Sequence, residues 1–173
     1  MVEKNKRAMT LTTPSDREIV FTRIFDAPRE FVFKAYTEPN LIAQWWGPRG
    51  FTITVDNMHV RPGGVWRFVQ RGPDGDKHAF NGVYRGIVPP EWLAYTFEFS
   101  SMPGHALLET VTFEARDGKT KVTANARFDT VTQRDGMLKS GMERRAAESW
   151  DRLAELLRTD DVMSDFAFDE KPK

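Results

Sequence analysis

The sequence contains no cysteine among its 173 residues. Disulfides, cysteine-ligated zinc, iron–sulfur clusters and thiol nucleophiles are thereby excluded. Charge of one sign is missing too: 25 Lys and Arg balance 25 Asp and Glu, for a formal net charge of zero. A nucleic-acid binder normally carries a basic excess, and a polybasic membrane anchor needs a local one. No apolar run approaches the roughly 18–20 residues that cross a bilayer. The first sixteen residues hold no apolar stretch of signal-peptide type, so a cytoplasmic location is expected. The phosphate loop, the dinucleotide fingerprint GxGxxG and the serine elbow GxSxG do not occur. The three histidines, His59, His78 and His105, sit at no recognised ligand spacing, so no metal and no cofactor is expected. Ser140 and Ser149 have no histidine at a supportive spacing, and no catalytic residue is assigned.

Aromatic residues are plentiful: 13 Phe, 5 Trp and 3 Tyr. The length suits one domain with its own core. Residues 1–16 are polar and aperiodic and read as a flexible lead-in. Residues 159–173 contain five acidic residues and read as an acidic, flexible tail. That leaves a single domain over 17–158.

Arg17 to Phe25 has strand composition. Asp26-Ala27-Pro28 stops it, and Pro28 suits a first helical turn. A short helix to about Tyr36 follows, then a second over Pro39 to Trp45 that Gly47-Pro48 ends. From Phe51 the period changes to two. Strands are expected at about 51–60, 64–71, 78–88, 92–100, 106–116 and 119–128, separated by Gly- and Pro-rich turns. Short connectors mean sequential hairpins and an antiparallel meander. From Thr132, a plausible N-cap, to Arg158 the spacing is helical again. One unbroken helix of that length would run about 40 Å, enough to lie across a whole sheet.

The fold class is therefore α+β. A seven-stranded curved antiparallel sheet wraps around a long C-terminal helix, with two short helices after the first strand. A twisted sheet does not close completely on one helix, and the gap is a natural cavity. Strand parity selects the residues that face it. Trp66 and Phe68 share one face, as do His78, Phe80, Gly82 and Tyr84. Leu93, Tyr95, Phe97 and Phe99 follow, then Leu107, Glu109, Val111 and Phe113, then Val122, Ala124, Ala126 and Phe128. At the open end, core and pocket wall are equal readings for the aromatics. Gly82, Ala124 and Ala126 suggest unfilled space.

Glu109 stands out on this apolar face. A buried carboxylate must be paired, hydrogen-bonded or neutral. It reads either as an acid or base of raised pKa or as a partner of Arg144 or Arg145. His78, near a strand start, is expected to be exposed. Trp45-Trp46-Gly47-Pro48 is either an aromatic lip of the cavity or a plug sealing the sheet edge. Gly141, inside the expected helix, costs about 1 kcal/mol against Ala. It marks either close packing or room for a ligand, beside the flexible apolar Met137 and Met142. The candidate ligand-binding residues are thus Trp45, Trp66, Phe68, Phe80, Tyr84, Tyr95 and Phe97 from the first half. Glu109, Val111, Ala124, Met137, Gly141 and Met142 complete the set.

Several of these residues carry a family resemblance. Phe25-Asp26-Ala27-Pro28, Trp45-Trp46-Gly47-Pro48-Arg49-Gly50-Phe51 and Arg61-Pro62-Gly63-Gly64-Val65-Trp66 stand in order. Gly82-Val83-Tyr84, Val88-Pro89-Pro90-Glu91, Asp135-Gly136-Met137 and Ser140-Gly141-Met142-Glu143 follow. The chain resembles the helix-grip (START/Bet v 1-like, SRPBCC) superfamily. More narrowly it is similar to the bacterial AHSA1 family, grouped with the C-terminal domain of the Hsp90 ATPase activator. Many relatives have an acidic residue where His59 stands and Gly-Trp where Arg145-Ala146 stands.

The resemblance implies three readings. The first is a module that binds a small hydrophobic or amphipathic molecule between sheet and helix. The second is a polyketide cyclase- or hydrolase-like enzyme using the same cavity. The third is a chaperone-interacting protein docking by its outer sheet face. An enzyme needs two convergent titratable groups in the cavity, and only Glu109 can be named. Binding needs only the cavity, so a small hydrophobic molecule is the expected partner. A homodimer and a chaperone partner stay open.

Overall fold

The computed structural model describes residues 9–158. The expected acidic tail, 159–173, lies outside them, as do residues 1–8. The strands are β1 (Thr10–Thr12), β2 (Glu18–Phe25), β3 (Thr52–Met58), β4 (Val65–Arg71), β5 (Lys77–Val88), β6 (Trp92–Phe99), β7 (Leu107–Arg116) and β8 (Lys119–Arg127). The helices are α1 (Arg29–Thr37), α2 (Pro39–Ile42), α3 (Val131–Lys139) and α4 (Met142–Leu157). One antiparallel sheet runs in the order β1-β2-β8-β7-β6-β5-β4-β3. The meander from β3 to β8 follows chain order, and β2 closes onto β8.

The sheet has eight strands, not the seven expected. Thr10–Thr12 pairs with Val20–Thr22 of β2. Its Thr-Leu-Thr is too short and polar to show a period, so the sequence placed it in the lead-in. Backbone pairing to an existing edge needs no apolar pattern.

Inward parity holds along the sheet. Ile19, Phe21 and Phe25 of β2 are buried, with Val111 and Phe113 of β7 and Val122, Ala124 and Ala126 of β8. Arg23 shares that parity and is only 7 % exposed. Its Nη1 donates to Asp151 Oδ1 at 2.6 Å, and its guanidinium lies 5.2 Å from the Phe25 ring centroid. α1 presents Val32, Phe33, Ala35 and Tyr36 to the sheet. Phe33 and Tyr36 meet Phe113 edge-on at 5.3 and 5.2 Å.

The C-terminal helix is broken. Gly141 has φ +83°, a left-handed conformation that ends α3 and starts α4. Periodicity survives such a break because the apolar spacing resumes beyond it, and a glycine's φ cannot be read from its neighbours. The first cap also differs from the expectation. Thr130, not Thr132, caps α3, its Oγ1 accepting from the Gln133 N–H at 3.1 Å. α3 buries nothing, whereas α4 buries Ser149, Trp150, Leu153, Ala154, Leu156 and Leu157. No helix among the described residues is long and apolar enough to cross a membrane.

Candidate functional site

Between the sheet and the α3–α4 junction lies a cavity of about 760 Å³. Sites for small ligands commonly measure roughly 300–1,000 Å³. β5 and β6 supply Phe80, Tyr95, Phe97 and Phe99. Deeper lie Glu109 of β7, Ala124 and Ala126 of β8, Phe21 of β2, Tyr36 of α1 and Trp150 of α4. Exposed lining residues mark the mouth: Arg49 and His78 on one side, Ser140, Gly141, Arg144 and Arg145 at the helix break.

The two adjacent tryptophans divide the labour. Trp45 is buried, and its Nε1–H donates to the Ala35 carbonyl at 2.9 Å while its ring tilts against Tyr36 at 4.8 Å. Trp46 instead turns toward the sheet. Its ring packs edge-on to Phe68 and Phe80 at 5.2 and 5.1 Å and contacts Trp66 and Phe97. Both line the cavity. The loop bearing them is fastened to α4. Ser149 Oγ accepts from Gly47 N at 3.1 Å and donates to the Trp45 carbonyl at 3.2 Å. Arg152 reaches the carbonyls of Gln44, Gly47 and Pro48.

One polar pair sits inside this aromatic shell. Antiparallel pairing places Tyr95 directly opposite Glu109. The Tyr95 hydroxyl donates to Glu109 Oε2. Burial holds the Glu109 carboxyl above its ordinary value, partly countered by that hydrogen bond. Burial and the neighbouring carboxylate push Tyr95 well up. Tyr36 is raised by burial as well, and Glu109 adds to the rise. The Tyr36 hydroxyl accepts from Trp150 Nε1–H at 2.8 Å. Its own proton has no acceptor among the described residues, so it can donate to a guest. The arrangement can hold a neutral acceptor such as a carbonyl or hydroxyl oxygen, and it can exchange a proton with one.

Trp45, Phe80, Tyr95, Phe97, Glu109, Ala124, Met137, Gly141 and Met142 all lie on the cavity wall. Trp66, Phe68, Tyr84 and Val111 lie in the core outside the wall. The space expected at Gly82 is filled: a Cβ there would lie 1.8 Å from the Thr96 carbonyl oxygen and 2.4 Å from Trp66 Nε1. The Trp66 indole crosses that glycine to donate to Thr96 O at 3.1 Å. Glu109 pairs with Tyr95, not with Arg144 or Arg145. Arg145 stands at the mouth, outside the deep wall. His78 is exposed there too, as its place near a strand start suggested. His105 contacts Gln133 Nε2 at 2.8 Å, away from the cavity. Trp46 lines the cavity, as the aromatic-lip reading of its segment allowed, whereas sequence reasoning missed Tyr36 and Trp150 as wall residues. Helical spacing marked Trp150 as inward, but nothing local showed that Tyr36 and Trp150 meet.

Residues 26–158 match the family model described as Activator of Hsp90 ATPase homolog 1-like protein. No curated protein matches the chain. Among solved structures, a protein from Rhodobacter sphaeroides is 25% identical with a TM-score of 0.81, over 87% of this chain and 97% of that one. A protein from Staphylococcus epidermidis is 29% identical with a TM-score of 0.75, over 86% and 93%. A protein from Mycobacterium smegmatis shares the fold at 23% identity and a TM-score of 0.79, over 87% and 98%.

Proposed function

The chain belongs to the Activator of Hsp90 ATPase homologue 1-like family, and on that premise we propose that it binds a small amphipathic molecule in the cavity. The observation that carries this reading is the cavity itself: about 760 Å³, walled by aromatics, with two hydrogen-bonded polar pairs on its wall, Tyr95 with Glu109 and Tyr36 with Trp150. The apolar body of the guest packs on Trp46, Phe80, Phe97 and Phe99. Burial of apolar surface supplies the affinity at about 25 cal/mol per Å² before association costs. Tyr36, Tyr95 and Glu109 orient a polar atom of the guest. Among the described residues, the large exposed apolar side chains, Ile24, Val65, Val88, Met102, Leu108 and Val131, lie on separate elements: four strands, one loop and the start of α3. This scatter favours a small-molecule partner over a chaperone docked on the sheet.

Native mass spectrometry with dodecanol as a neutral probe tests the reading. The expected result is a one-to-one adduct that disappears in Ala124→Trp while that variant still melts cooperatively. An unchanged adduct in the variant, or none in the parent, contradicts it.

A second reading rests on the pair of Tyr95 and Glu109. Glu109 as carboxylate can take a proton from carbon beside a bound ketone, with a tyrosine hydroxyl stabilising the enolate. Deuterium exchange into 2-undecanone, followed by NMR, would reveal it. Exchange that Glu109→Gln abolishes supports this reading, and exchange at the solvent rate rejects it.

A further inference from the structure

The mouth of the cavity carries charge that this binding reading does not use. Arg144 and Arg145 both line it from the first turn of α4. Arg145 commits two of a guanidinium's five N–H donors to one residue. Its Nη1 donates to the Ser140 carbonyl at 2.7 Å and its Nη2 to Ser140 Oγ at 3.2 Å. That contact lays the guanidinium beside Gly141, where a Cβ would stand 3.5 Å from Nη1. Among the described residues its remaining donors have no partner and no carboxylate pairs with Arg145. Arg144 touches Glu148 through Nε at 3.3 Å with 87% of its side chain exposed. So exposed a pair holds weakly and leaves the charge available. Arg49, also on the rim, is already committed to Glu155 through both terminal nitrogens.

The two ends of the cavity therefore differ in chemistry. The deep end holds a carboxyl group, and the rim holds Arg144 and Arg145 against one carboxylate, Glu148, which contacts only Arg144 of the two. An anion placed beside Glu109 would be desolvated with no cation there to pair with it. At the rim the same anion meets guanidinium donors able to form charge-assisted hydrogen bonds.

We propose, resting on the binding reading above, that the ligand is an amphipathic anion, its apolar body inside the cavity and its anionic head held at the mouth by Arg145 and Arg144. Carboxylate and phosphate heads share the required chemistry. Isothermal titration with dodecanoate, dodecyl phosphate and dodecanol separates them. At low salt, one or both anions should bind about tenfold tighter than dodecanol or better, as hydrogen bonds to charged groups allow. The tighter of the two anions identifies the head group. Added salt should shrink the advantage. The double variant Arg144→Gln, Arg145→Gln should lose it and keep the affinity for dodecanol. Arg145→Lys, which retains the charge without the planar fork, should keep a part. Equal binding of dodecanol and the anions, or an advantage that survives the double variant, overturns the proposal and leaves cavity binding standing. Failure of all three probes to bind overturns both.

Discussion

The two ends of the C-terminal helical segment meet the same sheet in opposite ways. From Ser149 to Leu157, α4 buries six side chains. Trp150 alone meets Phe25 and Phe21 edge-on at 5.5 and 6.3 Å and hydrogen-bonds Tyr36. From Val131 to Glu148 not one side chain is buried. The sheet beneath is no less apolar there, since it offers Phe80, Phe97 and Phe99. What changes is the helix, which supplies only Met137, Leu138, Met142 and Ala146 as apolar cover. A wide aromatic surface under a thin lid leaves space. The cavity follows from this mismatch between two amphipathic faces, and the left-handed turn at Gly141 sits where the cover thins.

Substitutions at the two ends should separate sharply. Trp150→Ala should cost about 3–5 kcal/mol in chemical denaturation, because it opens a void in close packing. Met142→Ala, on the loose end, should cost about 1 kcal/mol or less. Equal costs would mean that the two ends are packed alike. Ala124→Trp comes next. Overpacking costs about 1–3 kcal/mol, and the added indole should occupy the cavity and exclude probes. Gly141→Ala forces a side chain into the left-handed region and should cost about 1–2 kcal/mol by thermal melting. A gain in stability would instead mean that α3 and α4 merge into the unbroken helix that the spacing suggested.

Glu109→Gln is the mildest and is read from a slope. The folded Glu109 carboxyl holds its proton above the ordinary value of 4.5. The folded state therefore binds more protons than the unfolded state between that value and the raised one. Stability from this group is complete below the window and is lost as pH rises through it. The glutamine amide of the variant does not titrate. The variant's stability relative to the parent should rise with pH in denaturation series from about pH 4 to pH 8. A flat difference would place Glu109 in contact with bulk water.

The tight end was largely legible. Alternation along β7 and β8 and helical spacing through Leu153 and Leu157 each give one face, and both faces are buried. The deep polar pair was half legible: Tyr95 and Glu109 share the inward parity, and a hairpin register joins them. The rest depends on long-range placement. Arg23 looks like an outward residue by chemistry, and only its parity betrays it. Gly82 looks like empty space until the Trp66 indole is placed across it. The helix break leaves no mark in the periodicity, so the mouth and its arginines could not be located from spacing alone.

Methionine methyls provide the most direct test of the central claim. Met137 and Met142 line the cavity, whereas Met58 and Met102 do not. Carbon–proton correlation spectra of methyl-labelled protein, titrated with dodecanoate, should shift the Met137 and Met142 signals in a saturable way and leave Met58 and Met102 in place. Saturable shifts at Met102 or Met58 without Met137 and Met142, or no saturable shift at all, would contradict ligand binding between the sheet and the α3–α4 junction.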